Sequence, residues 1–452
     1  TLGAGNKGQF FGNALATETA PLEHGGTAGA SGYLSYDRAD QTDGYGDNDL
    51  ERVTAGGRLG ASGDALRGDL VTAASRREFG ARSFYGTDPK YPAEEQVQDL
   101  LVAGTLRTVD DPLNPSRVTA AWRRTDDTYW LDRNNHAFYE NDHTTDFFAL
   151  HGDTRRTFSD AFSLDLRADG DLETIASSSL GDHTRSHGSF AALPNYTVGP
   201  LTWTLGGSLD LFSTDSAAWL PAAGVEWAIN DDHALFLSYT EAVRQPSYTE
   251  LNYNSPSSLG NSGLERQETH TAEFGWKGRS DPFSWRVAGF HEQGRNIVDW
   301  ISTAPASRWT AANLRDVETW GFTADGRAAL SSDTDVGLDL LALEKDCGTG
   351  FYASRYAMDY PELSAGATLR HRLTRDLLVR LHQSLARYED NPVRQHGDLL
   401  ADTDAELQWH LPRLTGFTLN AGVANLFDSD FQLYPGQESA GRRYFASLAY
   451  AW

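Results

Sequence analysis

The stretch with the most recognisable chemistry is an acidic loop near the start of the sequence. It reads DRADQTDGYGDNDLE (37–51), and Asp43, Asp47 and Asp49 alternate there with glycine and asparagine. Calcium takes roughly six to eight oxygen ligands, and carboxylates in a glycine-rich loop can converge on one ion. The spacing does not follow the complete EF-hand pattern. Two interpretations therefore stand: a calcium site formed by these three aspartates, or a solvated acidic hairpin without metal.

Two histidines form a second candidate. His183 and His187 are separated by three residues in DHTRSH. On a helix that spacing would place both rings on one face, where they could share a metal ion. The neighbouring residues are typical of a loop, so the favoured interpretation is a pair of surface histidines without metal.

An aromatic-rich region beside a long polar stretch is the third candidate. It contains Trp122, Tyr129, Trp130, Phe138 and Tyr139. Aromatic rings can grip a flat ligand, but they also pack loops and form the interfacial girdles of membrane barrels. These three interpretations stay open.

Enzyme chemistry and nucleic-acid binding find no support in the sequence. There is no Ser/His/Asp or Cys/His arrangement around a nucleophile and no phosphate-cradling loop. Cys347 is the only cysteine, so an intrachain disulfide is excluded. The formal net charge is −25, from 63 acidic and 38 basic residues, whereas phosphate binding needs basic patches. We therefore expect a protein that is not an enzyme and has no nucleic-acid partner.

The elements that must position these candidates are β-strands, because apolar and polar residues alternate in many segments. Examples are FSLDLRADGDL (162–172), LTWTLGGSLDLF (201–212), LLVRLHQSLARY (377–388) and GFTLNAGVANLF (416–427). The final segment, GRRYFASLAYAW (441–452), has one large apolar face that ends in aromatics. Such faces suit either a soluble sandwich or a transmembrane barrel with a polar lumen.

The sum of the segments favours a barrel. No change of composition divides the chain, and no apolar run reaches the length of a transmembrane helix. A sheet this long must close on itself or expose its edges. The connections also alternate between short ones, such as 229–234 and 278–282, and long polar ones, such as 33–53 and 251–268. Residues 1–452 are thus expected to form one all-β domain, a large closed antiparallel transmembrane β-barrel with short periplasmic turns and long extracellular loops.

A stretch in the second half resembles the barrel of TonB-dependent outer-membrane receptors. The stretch runs from 239 to 276, and a second similar region, NLFDSDFQLYPGQESAGRRYFASLAYAW, ends the sequence. The positions that match the family pattern are Arg244, Pro246, Ser247, Glu250, Leu251, Gly260, Asn261, Leu264, Glu268, Asn425, Leu426, Phe427, Asp428, Gly441 and Arg442. The family usually ends on Phe, and this chain ends on Trp452. The likeness is strong from about 236 onward and looser before.

The resemblance implies a barrel of about 22 strands in the outer membrane of a Gram-negative-type bacterium. It also implies that the last strand, with its terminal aromatic, is read by the barrel assembly machinery. The implied function is active, TonB-linked uptake of a scarce large solute. Segments 77–96 and 122–143 look most like receptors for vitamin B12, so cobalamin or another corrinoid is the first expected solute, and a ferric siderophore is the alternative. Calcium at Asp43, Asp47 and Asp49 would match the acidic loops that cobalamin receptors order with this ion.

The family normally carries an N-terminal plug domain and a TonB-binding segment. The resemblance places the first barrel strand already within residues 1–18, so we expect the plug to be absent from this chain. The expected partners are outer-membrane lipid, the solute, a plug domain and the TonB system. A plugless barrel that acts as a passive pore or scaffold, and a soluble all-β binding protein, are the competing classes.

Overall fold

The computed structural model describes residues 1–23, 25–84, 90–255, 257–305, 307–348, 350–395 and 397–452. A single β-sheet runs through them. Its strands are β1 Leu2–Gly5, β2 Phe10–Pro21, β3 Thr27–Ala39, β4 Leu50–Ser62, β5 Leu66–Gly80, β6 Glu94–Thr108, β7 Ser116–Trp130, β8 Glu140–Ser159, β9 Phe162–Ser177, β10 His183–Val198, β11 Leu201–Phe212, β12 Ala218–Ala228, β13 His233–Arg244, β14 Ser258–Leu259, β15 Gln267–Ser280, β16 Phe283–Ser302, β17 Trp309–Ser331, β18 Thr334–Cys347, β19 Ala353–Ser354, β20 Pro361–Thr374, β21 Leu377–Tyr388, β22 Leu399–His410, β23 Phe417–Ala424 and β24 Arg443–Tyr450. The described residues also include a short helix, α1 (Tyr248–Asn252), and a 3-10 turn, His136–Phe138.

The sheet closes into a barrel. β1 pairs antiparallel with β24, with Leu2 opposite Leu448 and Gly5 opposite Phe445. Two of the 24 strands have only two residues each and lie within the loops. β14 pairs with β17, and β19 pairs with β16. The remaining 22 strands (24 − 2) form the wall, and each pairs antiparallel with its neighbours. The expected closed antiparallel barrel is therefore confirmed.

Cross-strand register keeps the apolar faces of the strands aligned around the outside of the wall. Leu209 on β11 lies opposite Phe190 on β10 and Trp219 on β12. Residues directly opposite each other share a face of the sheet. These three side chains are exposed, and an apolar outer face is typical of barrels that face lipid. The alternation of LTWTLGGSLDLF is thus the alternation between the outer face of the wall and the lumen.

Charged residues line the inner face and pair across neighbouring strands. Arg58 on β4 lies 2.5 Å from Asp69 on β5 (Nη2 to Oδ1), and Arg123 on β7 lies 2.8 Å from Asp99 on β6. Their arginine side chains are half-exposed, so each pair adds only about 0–1 kcal/mol. Their larger effect is to make the lumen hydrophilic.

The two ends of the barrel differ. One end has connections of two residues, such as 199–200, 281–282 and 375–376. The other end carries the long loops, among them 245–266 and 425–442. The short and long connections seen in the sequence fall on opposite ends, as expected. We call these the turn end and the loop end.

None of the helices in the described part of the chain is long and apolar enough to cross a membrane.

Candidate functional site

A cavity of about 240 Å³ lies inside the mouth of the barrel at the loop end. One side is formed by the upper parts of β6, β7 and β8, and the other by α1, β16 and the loop 348–360. Because these segments belong to separate parts of the wall, the cavity is bounded by strands on one side and by loops on the other.

The strand side of the cavity carries acidic residues. We define the acidic wall as Glu95 on β6 and Asp127 on β7, whose carboxyl groups are in hydrogen-bond contact. Glu95 is buried. His143 on β8 lies directly opposite Asp127 and has its Nδ1 2.8 Å from the Ser177 hydroxyl. Side chains alternate between the two faces of a strand, and the apolar ones of these strands point out of the barrel. Glu95, Asp127 and His143 occupy the other set of positions, so their side chains point into the barrel.

The loop side of the cavity is aromatic and carries one cation. It includes Tyr253, Trp300, Tyr356 and Arg355. The Arg355 guanidinium lies 5.3 Å from the Tyr356 ring centroid, within range of a cation–π contact. Burial raises the pKa of Tyr253 to about 12, and the nearby Tyr139 hydroxyl adds to the shift. The Tyr253 phenol therefore stays protonated well above neutral pH.

A capping box holds the loop that presents Tyr253. The Ser247 hydroxyl accepts from the Glu250 amide at 3.2 Å, and the Glu250 carboxylate accepts from the Ser247 amide at 2.6 Å. Arg244 clamps the same carboxylate at 2.9 Å. Burial alone would raise the pKa of Glu250, but these hydrogen bonds outweigh it and hold the pKa below its usual value. These contacts give a structural role to Arg244, Ser247 and Glu250, three of the positions that match the family pattern.

Gly260 closes the same loop against α1. Its amide donates to the Tyr253 carbonyl at 2.6 Å, and the Asn261 amide donates to the Glu250 carbonyl at 2.8 Å. A Cβ at position 260 would lie 2.8 Å from the Tyr253 nitrogen and 3.0 Å from the Glu250 oxygen. Glycine is therefore required by the close approach of two backbones.

A buried carboxylate fixes the opposite loop beside Trp300. Asp299 is 1% exposed and accepts hydrogen bonds from the Trp300 amide at 2.8 Å and the Tyr356 amide at 3.2 Å. The Ser354 hydroxyl donates to it as well. The Arg355 amide donates to the Trp300 carbonyl at 3.0 Å. The aromatic side of the cavity is therefore rigidly positioned.

The loops behind the cavity are joined by a buried ion pair. Arg394 and Asp359 have side chains only 2% and 3% exposed and meet at 2.7 Å. Arg394 also donates to the Gln432 carbonyl at 2.6 Å and lies 3.9 Å from the Tyr388 ring centroid. Burial raises the pKa of Asp359 above its usual value, although Arg394 opposes the shift. Three loops, 348–360, 389–398 and 425–442, are thus held by one guanidinium.

The three aspartates of the acidic loop have separate protein partners. Buried Asp43 accepts from the Asn48 side chain at 2.6 Å, Asp47 pairs with Arg82, and Asp49 lies 3.0 Å from Arg133. Burial raises the pKa of Asp43, and the hydrogen bonds from Asn48 and the Tyr45 amide oppose this. Across the described ranges, no three His, Cys, Asp or Glu residues are grouped to hold a metal ion. Calcium binding by Asp43, Asp47 and Asp49 stays a prediction.

The histidine pair lies in a strand rather than in a loop. His183 and His187 belong to β10, at positions whose side chains point into the barrel. His183 stacks on Tyr248 with 5.1 Å between ring centroids, whereas His187 lies between Asp171 and Asp210 at 3.0 and 3.2 Å. The structure therefore gives each histidine its own partners.

Of the five aromatic residues singled out in the sequence, Tyr129 reaches the cavity. Trp122 stacks on Phe148 on the outer face, and Trp130 stacks on His136. The residues that sequence reasoning missed are Glu95, Asp127, His143, Tyr253, Trp300 and Arg355. Glu95, Asp127 and His143 could have been found as polar residues that point into the barrel near the loop end of a strand. No local signal in the sequence marks Tyr253, Trp300 or Arg355.

Comparisons with known proteins agree with this architecture. A family model described as TonB dependent receptor-like, beta-barrel, matches residues 3–426. The siderophore receptor PirA from Pseudomonas aeruginosa is similar in structure, with TM-score 0.75 and 15% identity over 99% of this chain and 79% of that one. A mutant of the ferric enterobactin receptor from the same organism has TM-score 0.77 and 14% identity, over 100% and 79%. The FrpB iron transporter from Neisseria meningitidis has TM-score 0.77 and 12% identity, over 99% and 80%. Identities this low show a shared fold.

Proposed function

Because this chain belongs to the family of TonB-dependent receptor-like β-barrels, we propose that it takes up a ferric siderophore across the outer membrane. The family is one of transport receptors, which implies a Gram-negative outer membrane as the location. In this proposal the loop end faces the outside and the cavity at the mouth makes first contact with the solute. Passage then proceeds through the polar lumen and depends on TonB.

One observation carries the proposal: a cavity at the loop end whose sides come from well-separated parts of the wall. Its aromatic side is held by the buried Asp299 and by the capping box of α1. A site held rigidly before binding loses less entropy when a ligand arrives. The fold shared with receptors named for siderophores and ferric enterobactin supports the choice of an iron chelate.

The proposal is tested by direct binding of ferric siderophores to the purified protein. Trp300→Ala removes a buried ring from the cavity, and we expect roughly twofold to twelvefold weaker binding, since an aromatic contact contributes about 0.5–1.5 kcal/mol. Trp320→Ala is the matched control, because Trp320 is 59% exposed on the outer face of β17. Equal affinities for wild type and Trp300→Ala would contradict this site.

The same assay decides between iron chelates and corrinoids. Cyanocobalamin is included as a competitor, because the sequence resemblance favours a corrinoid and that expectation stays a prediction. Binding of cyanocobalamin with no binding of any ferric chelate would replace the siderophore proposal.

Dependence on TonB separates a receptor from a passive pore. Uptake of the bound chelate by cells should stop when TonB is deleted. Uptake that continues unchanged would favour the pore or scaffold class.

A further inference from the structure

We propose that Arg355 binds a free carboxylate group carried by the solute. The preferred solute is then a ferric chelate with a carboxylate arm, and the arm enters the cavity while the iron centre stays above it. This inference rests on the proposed function, since it names the chemical class of solute for the same site.

The Arg355 guanidinium is a cation that faces the cavity without a counter-ion from the protein. It lines the cavity. Across the described residues its side chain makes no hydrogen bond and no ion pair, and none of its nitrogens is closed to water. Other arginines at the loop end have carboxylate partners: Arg185, Arg266 and Arg394 meet theirs at 2.6, 3.0 and 2.7 Å. Arg355 therefore has its donors available for a group that the solute brings.

Aromatic rings surround this guanidinium. It lies 5.3 Å from the Tyr356 ring centroid and 5.9 Å from the Trp309 ring centroid, within the range of cation–π contacts. Its charge also reaches the phenols of Tyr253 and Tyr434, where it opposes the rise in pKa that burial causes. The rings restrict the orientations of a long side chain, so less conformational entropy is lost when Arg355 pairs with a ligand.

The backbone that carries Arg355 is held on both sides of the residue. Its own amide donates to the Trp300 carbonyl at 3.0 Å. The next two amides, of Tyr356 and Ala357, both donate to the buried Asp299 carboxylate at 3.2 Å. The guanidinium is therefore presented to the cavity from a fixed point of the loop.

The chemistry of the guanidinium favours a free carboxylate over other oxygen ligands. Arginine presents a planar fork of N–H donors that matches the two oxygens of a carboxylate, and such two-pronged pairs are among the stronger hydrogen bonds. In a ferric catecholate or hydroxamate the charged oxygens are already bound to iron. A carboxylate that does not bind the iron offers both of its oxygens to Arg355.

The size of the cavity and its strand side are compatible with a carboxylate arm. About 240 Å³ is below the roughly 300–1,000 Å³ of pockets that hold a whole drug-sized ligand, so the cavity suits one arm of a chelate. On the opposite side, Glu95 and Asp127 share a hydrogen bond. A hydrogen bond between two carboxyl groups needs a proton on one of them, so this pair repels an anion less than two carboxylates would.

The test uses two probes that differ in one charge. One is a ferric trihydroxamate with a free terminal carboxylate, and the other is the same chelate with that carboxylate converted to a primary amide. Binding of each to the full protein in detergent is measured by calorimetry near neutral pH. We expect the carboxylate form to bind at least tenfold tighter than the amide form.

Variants of Arg355 separate binding from folding. Arg355→Gln should lower the affinity for the carboxylate form to that of the amide form and leave the amide form unchanged. Arg355→Lys should keep a smaller preference for the carboxylate form, because lysine retains the charge but not the planar fork. Arg387→Gln is the matched control, since Arg387 pairs with Glu362 at the loop end of β21 with its side chain 60% exposed, and it should bind both probes as wild type does.

The outcomes separate this inference from the function on which it rests. Equal affinity for the two probes overturns the carboxylate proposal and leaves siderophore uptake standing, and so does binding of a ferric catecholate but of neither probe. Equal losses for both probes in Arg355→Gln would give Arg355 a structural role and would also overturn the proposal. Failure to bind any ferric chelate overturns the proposed function itself.

Discussion

Replacing Arg394 by methionine should release three loops at once. The Arg394 side chain is 2% exposed and its partner Asp359 is 3% exposed. It also holds the Gln432 carbonyl and stacks on Tyr388. Methionine keeps most of the volume but removes every one of these donors, so the loops 348–360, 389–398 and 425–442 lose their common anchor.

The magnitude follows from the burial of the pair. Removing one partner of a buried ion pair typically costs about 3–5 kcal/mol, because the other charge is left without compensation. Burial already raises the pKa of Asp359, so the carboxyl group left behind can take up a proton and escape part of that cost. We therefore expect the lower end, about 3 kcal/mol, which corresponds to roughly a hundredfold change in an equilibrium constant.

Hydrogen exchange with mass spectrometry measures this loss locally. Amides of the three loops should exchange about a hundredfold faster in Arg394→Met, because local opening governs their protection, while the loop 213–217 keeps its wild-type rates. Arg38→Met is the control: its pair with Asp40 is 58% and 61% exposed, and removing it should change little. Unchanged protection in the three loops, or a loss spread evenly over the barrel, would refute the role given to Arg394.

Three further predictions concern the loop end. Gly260→Val should displace α1, because the Cβ would lie 2.8 Å from the Tyr253 nitrogen. We expect the variant to be destabilised by about 1–3 kcal/mol and to bind the solute more weakly. An affinity for the solute equal to that of wild type would contradict this. The Tyr253 phenol should titrate with a pKa of about 12, which is measured as the ultraviolet difference between wild type and Tyr253→Phe. Because the raised pKa favours the protonated form in the folded state, the phenol's contribution to stability is complete below pH 10 and is lost as the pH rises through 12. A titration at the ordinary tyrosine pKa would exclude the buried phenol. Calcium should bind the acidic loop and displace Arg82 from Asp47. Calcium binding is measured by calorimetry and should be abolished in a variant in which all three aspartates are changed to asparagine. Wild-type protein that takes up no calcium would contradict this prediction.

The barrel could be predicted because its rule is local. In LTWTLGGSLDLF the residues at 201, 203, 205, 209 and 211 are apolar, and this parity continues into β10 and β12. Alternation that persists from strand to strand fixes which face is lipid and which is lumen. The positions of turns and loops follow from the same reading, since the polar stretches that interrupt the alternation have different lengths at the two ends.

The mouth could not be predicted because its contacts are long-range. The acidic loop reads as a cluster of free carboxylates, but Asp47 and Asp49 meet Arg82 and Arg133, which the sequence places in other loops. His187 meets Asp171 and Asp210 only because β9 and β11 flank β10. Such pairings depend on strand register and loop folding, and no spacing within one segment encodes them.

Pairing of β1 with β24 brings the beginning and the end of the described chain side by side. Leu2 lies opposite Leu448, and Trp452 follows only a few residues later. A short linker could therefore join Trp452 to Thr1, and a new break at the turn 199–200 would leave every strand pairing as it is, as in circular permutants of other compact domains. A protein permuted in this way offers a site to attach a probe or a second domain at the turn end without disturbing the mouth.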